Sequence, residues 1–105
     1  MSVFAITWAY SQRTGKPGAK AVLVALANFA NEDGECWPAQ KTLAEMTDLD
    51  EKSVRRHLAF LERKGFLARR ERRDKKGRRA SDFYQLQTPA TATRIQPDKT
   101  PARAS

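Results

Sequence analysis

The chain has 105 residues, enough for one domain, and carries 20 Lys and Arg against 12 Asp and Glu, a formal charge of +8 with a pI near 10.2. Its one cysteine cannot close an internal disulfide, which points to a reducing cytoplasm. The chain has no leader pattern and no apolar stretch near the roughly 20 residues of a membrane span, nor any paired carboxylates, base-activated nucleophile or phosphate-binding glycine loop of an enzyme.

The elements follow in chain order. Val3 to Tyr10 is apolar and fits either a short helix or a strand, with Ile6 and Tyr10 at helical spacing. Thr14-Gly15-Lys16-Pro17-Gly18 is a break. From about Ala19 to Asn31 the pattern predicts a helix: Ala19, Leu23, Leu26 and Ala30 form one stripe, Val22 and Phe29 widen it, and Lys20, Asn28 and Asn31 stay wet. So broad a face needs a cover, and the N-terminal segment is the candidate. Asn31-Glu32-Asp33-Gly34 reads as a turn and Glu35-Cys36-Trp37 as a very short strand. A helix from about Ala39 to Met46, with Leu43 and Ala44 inward, leads through Thr47-Asp48-Leu49 to Asp50, a good N-cap for a helix from Glu51 to Lys64. Gly65 stops that helix. Phe66 to Arg73 and Ser81 to Gln87 read as the strands of a hairpin around a basic loop containing Gly77.

After Thr88 the composition turns to Thr, Ala and Pro, with Ile95 the only large apolar residue. The expected division is therefore a folded domain over 1–88 and a flexible tail over 89–105, dispensable for folding. The fold class is mainly α with a small β-hairpin (α+β): a three-helix core plus a wing.

The charge is concentrated. Residues 69–79 hold eight basic side chains against Glu71 and Asp74, and so carry six of the eight net charges. A basic block between two strands suits a regular array of phosphates. On the helix over 51–64, Val54, Leu58 and Leu61 share one arc and face the core. Lys52, Arg56 and Arg63 fall nearly opposite, with Ser53, Arg55 and Ala59 at the flanks. Long donors near a helix start are what reads base edges in a major groove, and Arg56 has the planar fork that fits guanine.

Gln40, Lys41 and Thr42 open the preceding helix, where they either reach phosphates or are plain surface. In the loop and strand ends, Arg72, Arg73, Lys75, Lys76, Arg78 and Arg79 are the expected backbone contacts. Phe60 sits on a mostly outward part of its helix and reads first as packing against the hairpin, with a dimer contact or a thymine methyl as alternatives. His57 and Cys36 lack companion ligands, so both read as structural and no metal or cofactor is expected. No cluster of exposed aromatics marks a stacking platform for single strands.

A joint pattern over residues 4–88 resembles a known group. It runs through Ile6-Thr7-Trp8-Ala9, Lys20-Ala21-Val22-Leu23, Ala25-Leu26-Ala27, Asp33-Gly34-Glu35-Cys36-Trp37-Pro38 and Leu43-Ala44-Glu45-Met46-Thr47. It continues through Ser53-Val54-Arg55-Arg56-His57-Leu58, Leu61-Glu62-Arg63-Lys64-Gly65, Gly77-Arg78-Arg79-Ala80-Ser81 and Tyr84-Gln85-Leu86. This is similar to the winged helix-turn-helix family of phage and prophage regulators and of the DNA-binding domains of phage and plasmid replication initiators. The resemblance implies a double-stranded DNA partner and a role in transcription or in DNA replication, with a homodimer and a protein partner for the tail left open. A winged helix serving protein or RNA contact is the rival reading. Two positions depart from the family: Ala39 stands where a capping Ser is common, and Phe60 where a basic residue is common. The short tail lacks the further region of an initiator, which favours a regulator.

Overall fold

The computed structural model describes residues 3–73, 75–77 and 80–88. The tail over 89–105, and with it the expectation of flexibility, lies outside the described residues, as do Arg78 and Arg79. The order is α1 (Val3–Ser11), α2 (Pro17–Phe29), β1 (Glu35–Cys36), α3 (Gln40–Thr47), α4 (Glu51–Arg63), β2 (Leu67–Arg70) and β3 (Phe83–Leu86). Helix α2 packs against α1, α3 and α4, and α3 against α4. The strands form an antiparallel sheet in the order β1-β3-β2. This is an α+β winged helix-turn-helix; the N-terminal segment, open between helix and strand in the sequence, is a fourth helix beside the three-helix core, and the short strand expected at 35–37 joins the hairpin as β1.

The N-terminal segment is the cover that α2 requires, and it is a helix. Its fully buried residues are Ala5 and Ala9, two small side chains four apart that let α1 lie close on α2; Ile6 packs half-buried against the core, and Tyr10 is left exposed. Helix α2 starts two residues earlier than expected, at Pro17, whose fixed φ and missing N–H suit a first helical position. Ala19, Val22, Leu23 and Leu26 are fully buried as their spacing predicts. Phe29 is not: it is 41% exposed, since the helix ends there and the extended Ala30 enters the core instead. Asn31 leaves the helix as well. Its side-chain oxygen accepts from the N–H of Asp33 (2.9 Å) and of Glu35 (3.0 Å), which builds the turn into β1.

Gly18 has a specific task. A Cβ there would lie 2.4 Å from His57 Nε2, so a bare backbone on α2 is what lets the imidazole of α4 pack against it. Phe60, mostly outward on the helical wheel, is nonetheless a packing residue. It is 9% exposed, within the core cluster, and the Lys16 ammonium sits 4.6 Å from its ring centroid. The Cys36 thiol is buried, and burial pushes its pKa up to about 12, so it is held as the inert thiol.

Three residues join α3 to α4. Asp48 takes the left-handed conformation (φ 63°), its N–H and that of Leu49 both bonding the Ala44 carbonyl, and Asp50 then caps α4 by accepting from Ser53 N–H at 3.0 Å. Helix α3 has no such cap. Ala39 has N-cap geometry (φ −69°, ψ 150°) but no side-chain acceptor. Ala39→Ser is therefore expected to stabilise the fold by about 0.5–2 kcal/mol, read as a rise in the thermal unfolding midpoint; an unchanged midpoint would mean that the helix end is already satisfied.

Helix α4 ends at Gly65, φ +85°, in a Schellman turn: Gly65 N–H bonds the Glu62 carbonyl (3.1 Å) and Phe66 N–H the Leu61 carbonyl (3.0 Å). Phe66 is thus consumed by the cap, and the wing strands are shorter than the expected 66–73 and 81–87. In the ladder Leu67 faces Leu86 and Arg69 faces Tyr84 on the core side, while Ala68 faces Gln85 and Arg70 faces Phe83 on the outside. Cys36 pairs with Tyr84, so Trp37 stands one step further along, beside Phe83. Their ring centroids are 6.2 Å apart with planes 15° from parallel, and the Arg70 guanidinium lies 4.8 Å from the Phe83 centroid. The sequence holds no visible aromatic cluster; the sheet assembles one.

Candidate nucleic-acid interface

Helix α4 is the clearest amphipathic element. Val54, Leu58 and Leu61 are fully buried, while Lys52, Arg55 and Arg56 are exposed and Ser53 is half-buried. Its start is organised as a short relay. Arg56 Nη2 donates to Ser53 Oγ at 3.2 Å, and Asp50 receives hydrogen bonds from the Ser53 side chain and backbone, which hold its carboxyl below the usual range. Arg56 therefore rests along the first turn with its guanidinium aligned to the outer face. Arg63, the last of the expected reading residues, lies at the other end of α4. Its guanidinium is 6.0 Å from the Phe60 ring, in company with Lys16 and Lys64.

A cleft of about 620 Å³ separates the starts of α3 and α4 from the wing. Ala39, Gln40, Lys41, Glu51, Arg55, Arg69, Ala80, Ser81 and Asp82 line it. The structure thus brings Gln40, Lys41 and Arg55 together with Arg69, which opens the basic block of 69–79 but is not among the residues expected at the helix start. The strand alternation carried the signal: Arg69 pairs with Tyr84 on the core side of β2 and so turns under the wing instead of outward. Its guanidinium meets Glu62 of α4 at 3.1 Å. With both partners partly exposed, this pair contributes little to stability, yet it fixes the side chain at the cleft. Thr42 lies half-buried one position beyond the cleft on α3.

The wing cations differ in what they hold. Arg72 Nη1 donates to the Ser81 carbonyl (3.1 Å), and Arg73 donates to the Gly77 carbonyl (3.3 Å) and pairs with Glu71 (3.2 Å), so both brace the loop. Lys75 and Lys76 stand exposed at the tip.

Among the described residues no group of His, Cys, Asp or Glu could hold a metal ion. His57 faces the cations Lys16 and Arg56; burial, then those charges, lower its pKa, and the same charges would repel a metal. A second open groove of about 670 Å³ lies between α1, α2 and the end of α3, where Ile6, Tyr10, Val24 and Met46 make it mainly apolar. No helix among the described residues is long and apolar enough to cross a membrane.

A buried-faced helix presented behind a tight turn, and backed by a basic hairpin, defines a helix-turn-helix unit with a wing. Residues 16–67 match the family described as a helix-turn-helix domain. Over 57 residues, 54% of this chain, the sequence is 39% identical to Protein YmfN of Escherichia coli (strain K12), of which the match spans only 12%. A possible transcriptional regulator from Methanosarcina mazei Go1 has the same fold, with a TM-score of 0.50 over 87% of this chain and 77% of that one, at 22% identity.

Proposed function

We propose that the protein binds double-stranded DNA sequence-specifically, with α4 in the major groove and the wing on the adjacent backbone, as a transcription regulator of the phage and prophage type. The observation that carries this reading is the convergence at one cleft: three separate segments bring Lys41, Arg55 and Arg69 to the uncapped start of α3. Free backbone N–H groups at that start, with Gln40, Lys41 and Thr42, suit one phosphate. Lys52, Ser53 and Arg56 face the bases, with Arg55 at their flank toward the phosphate cleft, and Arg72, Arg73, Lys75, Lys76, Arg78 and Arg79 supply the wing's charge. The match to a short part of the longer YmfN supports a second reading, in which such a domain is the DNA-binding module of a larger protein, as in replication initiation.

Titration against duplex DNA over a range of salt tests the reading. If the wing makes about three to four phosphate contacts, its share of the slope of log K against log salt is about −3. Replacing Arg78 and Arg79 together by Ala is expected to weaken binding to all sequences alike and to flatten the slope by about 2. An unchanged slope would remove these arginines from the interface, and salt-insensitive binding would favour a protein-contact role.

A further inference from the structure

The outer face of the sheet holds a row that duplex binding through α4 does not use. Trp37, Phe83 and Arg70 lie side by side at the wing end of the sheet, one from each chain segment. Phe83 is half-buried between its neighbours, but Trp37 keeps 51% of its surface in solvent. Such exposure is unusual in kind: the ring is flat, supported from the side by a second ring, and bordered by a guanidinium. It is also fixed in place. Pro38 restricts the backbone of Trp37 to extended conformations, and contact with Phe83 restrains its ring, so little freedom is lost when something stacks on it. Past Arg70 and Glu71, whose carboxylate pairs with Arg73, the chain continues into Arg72, Arg73, Lys75 and Lys76. Among the described residues, the carboxylate on the neighbouring outward row is Glu35, which accepts from Asn31 at 3.1 Å.

An aromatic surface beside a track of cations is the chemistry that holds unpaired nucleotides, since every base has a face to stack and every nucleotide a phosphate. We propose that the Trp37–Phe83–Arg70 row is a second nucleic-acid site that stacks an unpaired base of single-stranded DNA on Trp37, with the strand's phosphates on Arg70 and the wing. The choice of DNA over RNA rests on the duplex reading above; the stacking itself does not.

The test uses the full chain and two short strands of equal length, oligo-dT and an abasic strand with the same phosphates. Oligo-dT is expected to bind roughly tenfold or more tightly than the abasic strand, and to quench tryptophan fluorescence. Trp37→Phe should remove the quenching while keeping dT affinity within a few-fold, because an aromatic face remains. Trp37→Leu should fall to the abasic level with its salt slope unchanged, because stacking releases no counterions. Equal affinity of the wild-type protein for the two strands overturns the proposal without relying on any variant. Quenching that persists in Trp37→Phe would assign the signal to Trp8 and overturn it as well. Tighter binding of oligo-U than of oligo-dT would overturn the assignment to DNA. Duplex titration in the same buffer separates the two readings: loss of duplex binding with the dT preference intact sinks only the duplex reading.

Discussion

Leu61→Ala is expected to cost about 2–5 kcal/mol of folding stability. Leu61 is fully buried in α4, and removing its side chain leaves a cavity within the core cluster. A domain of this size has only about 5–15 kcal/mol in hand, so the unfolding midpoint should fall by roughly 10–30 °C. The residue has a second role that the substitution spares: its carbonyl receives the Phe66 N–H in the turn that ends α4. Thermal and urea unfolding should therefore show a lower midpoint with an unchanged urea m-value. A loss below about 1 kcal/mol would mean that neighbouring side chains collapse into the space.

Arg56→Ala should act on binding and leave the fold intact. Arg56 is exposed and its guanidinium donates to Ser53 Oγ at 3.2 Å, a contact readily exchanged for a better acceptor. On a preferred duplex the loss is expected to be about 1–3 kcal/mol, and on scrambled DNA much less, with relaxed preference at one base pair. Arg56→Lys should recover part of the non-specific affinity without the selectivity, because an ammonium cannot make the two parallel bonds of a guanidinium. Paired titrations on specific and scrambled duplexes at one salt concentration decide it. Equal losses on both duplexes would make Arg56 a backbone contact, and no loss on either would sink the proposed orientation of α4.

What could be read from the sequence was what local rules govern. Helix α4 shows its buried arc at Val54, Leu58 and Leu61, its cap at Asp50 and its stop at Gly65, because period and end signals lie within a few residues of one another. The tight connection at Asp48 is legible for the same reason. The misreadings all depend on contacts between distant segments. Phe60 looks outward on a helical wheel, yet it lies in the core cluster, with the Lys16 ammonium of a distant segment 4.6 Å from its ring. Phe29 shares an arc with Val22, yet the chain leaves the helix at that residue and buries Ala30. Gly18 reads as part of a loop until His57 is seen packed against it. At the candidate site, the exposed cations of α4 follow from periodicity, whereas the turning of Arg69 toward Glu62 and the meeting of Trp37 with Phe83 follow from sheet register, which a two-residue strand cannot announce.

The turn at Gly65 joins α4 to β2 with almost no slack. Two backbone hydrogen bonds close it, and the Arg69–Glu62 pair ties the strand back to the helix beyond it. Helix and hairpin therefore behave as the two jaws of a calliper whose gap is set by the protein. A long repetitive partner has to present its features to both jaws at that interval. In the binding mode proposed above, a shift of one set of contacts by a single base pair, about 3.4 Å along the axis, would have to be met by bending or twisting the partner. Lengthening the linkage, by a residue inserted after Gly65, would loosen the gauge, and in that binding mode the protein should then tolerate a wider range of spacings.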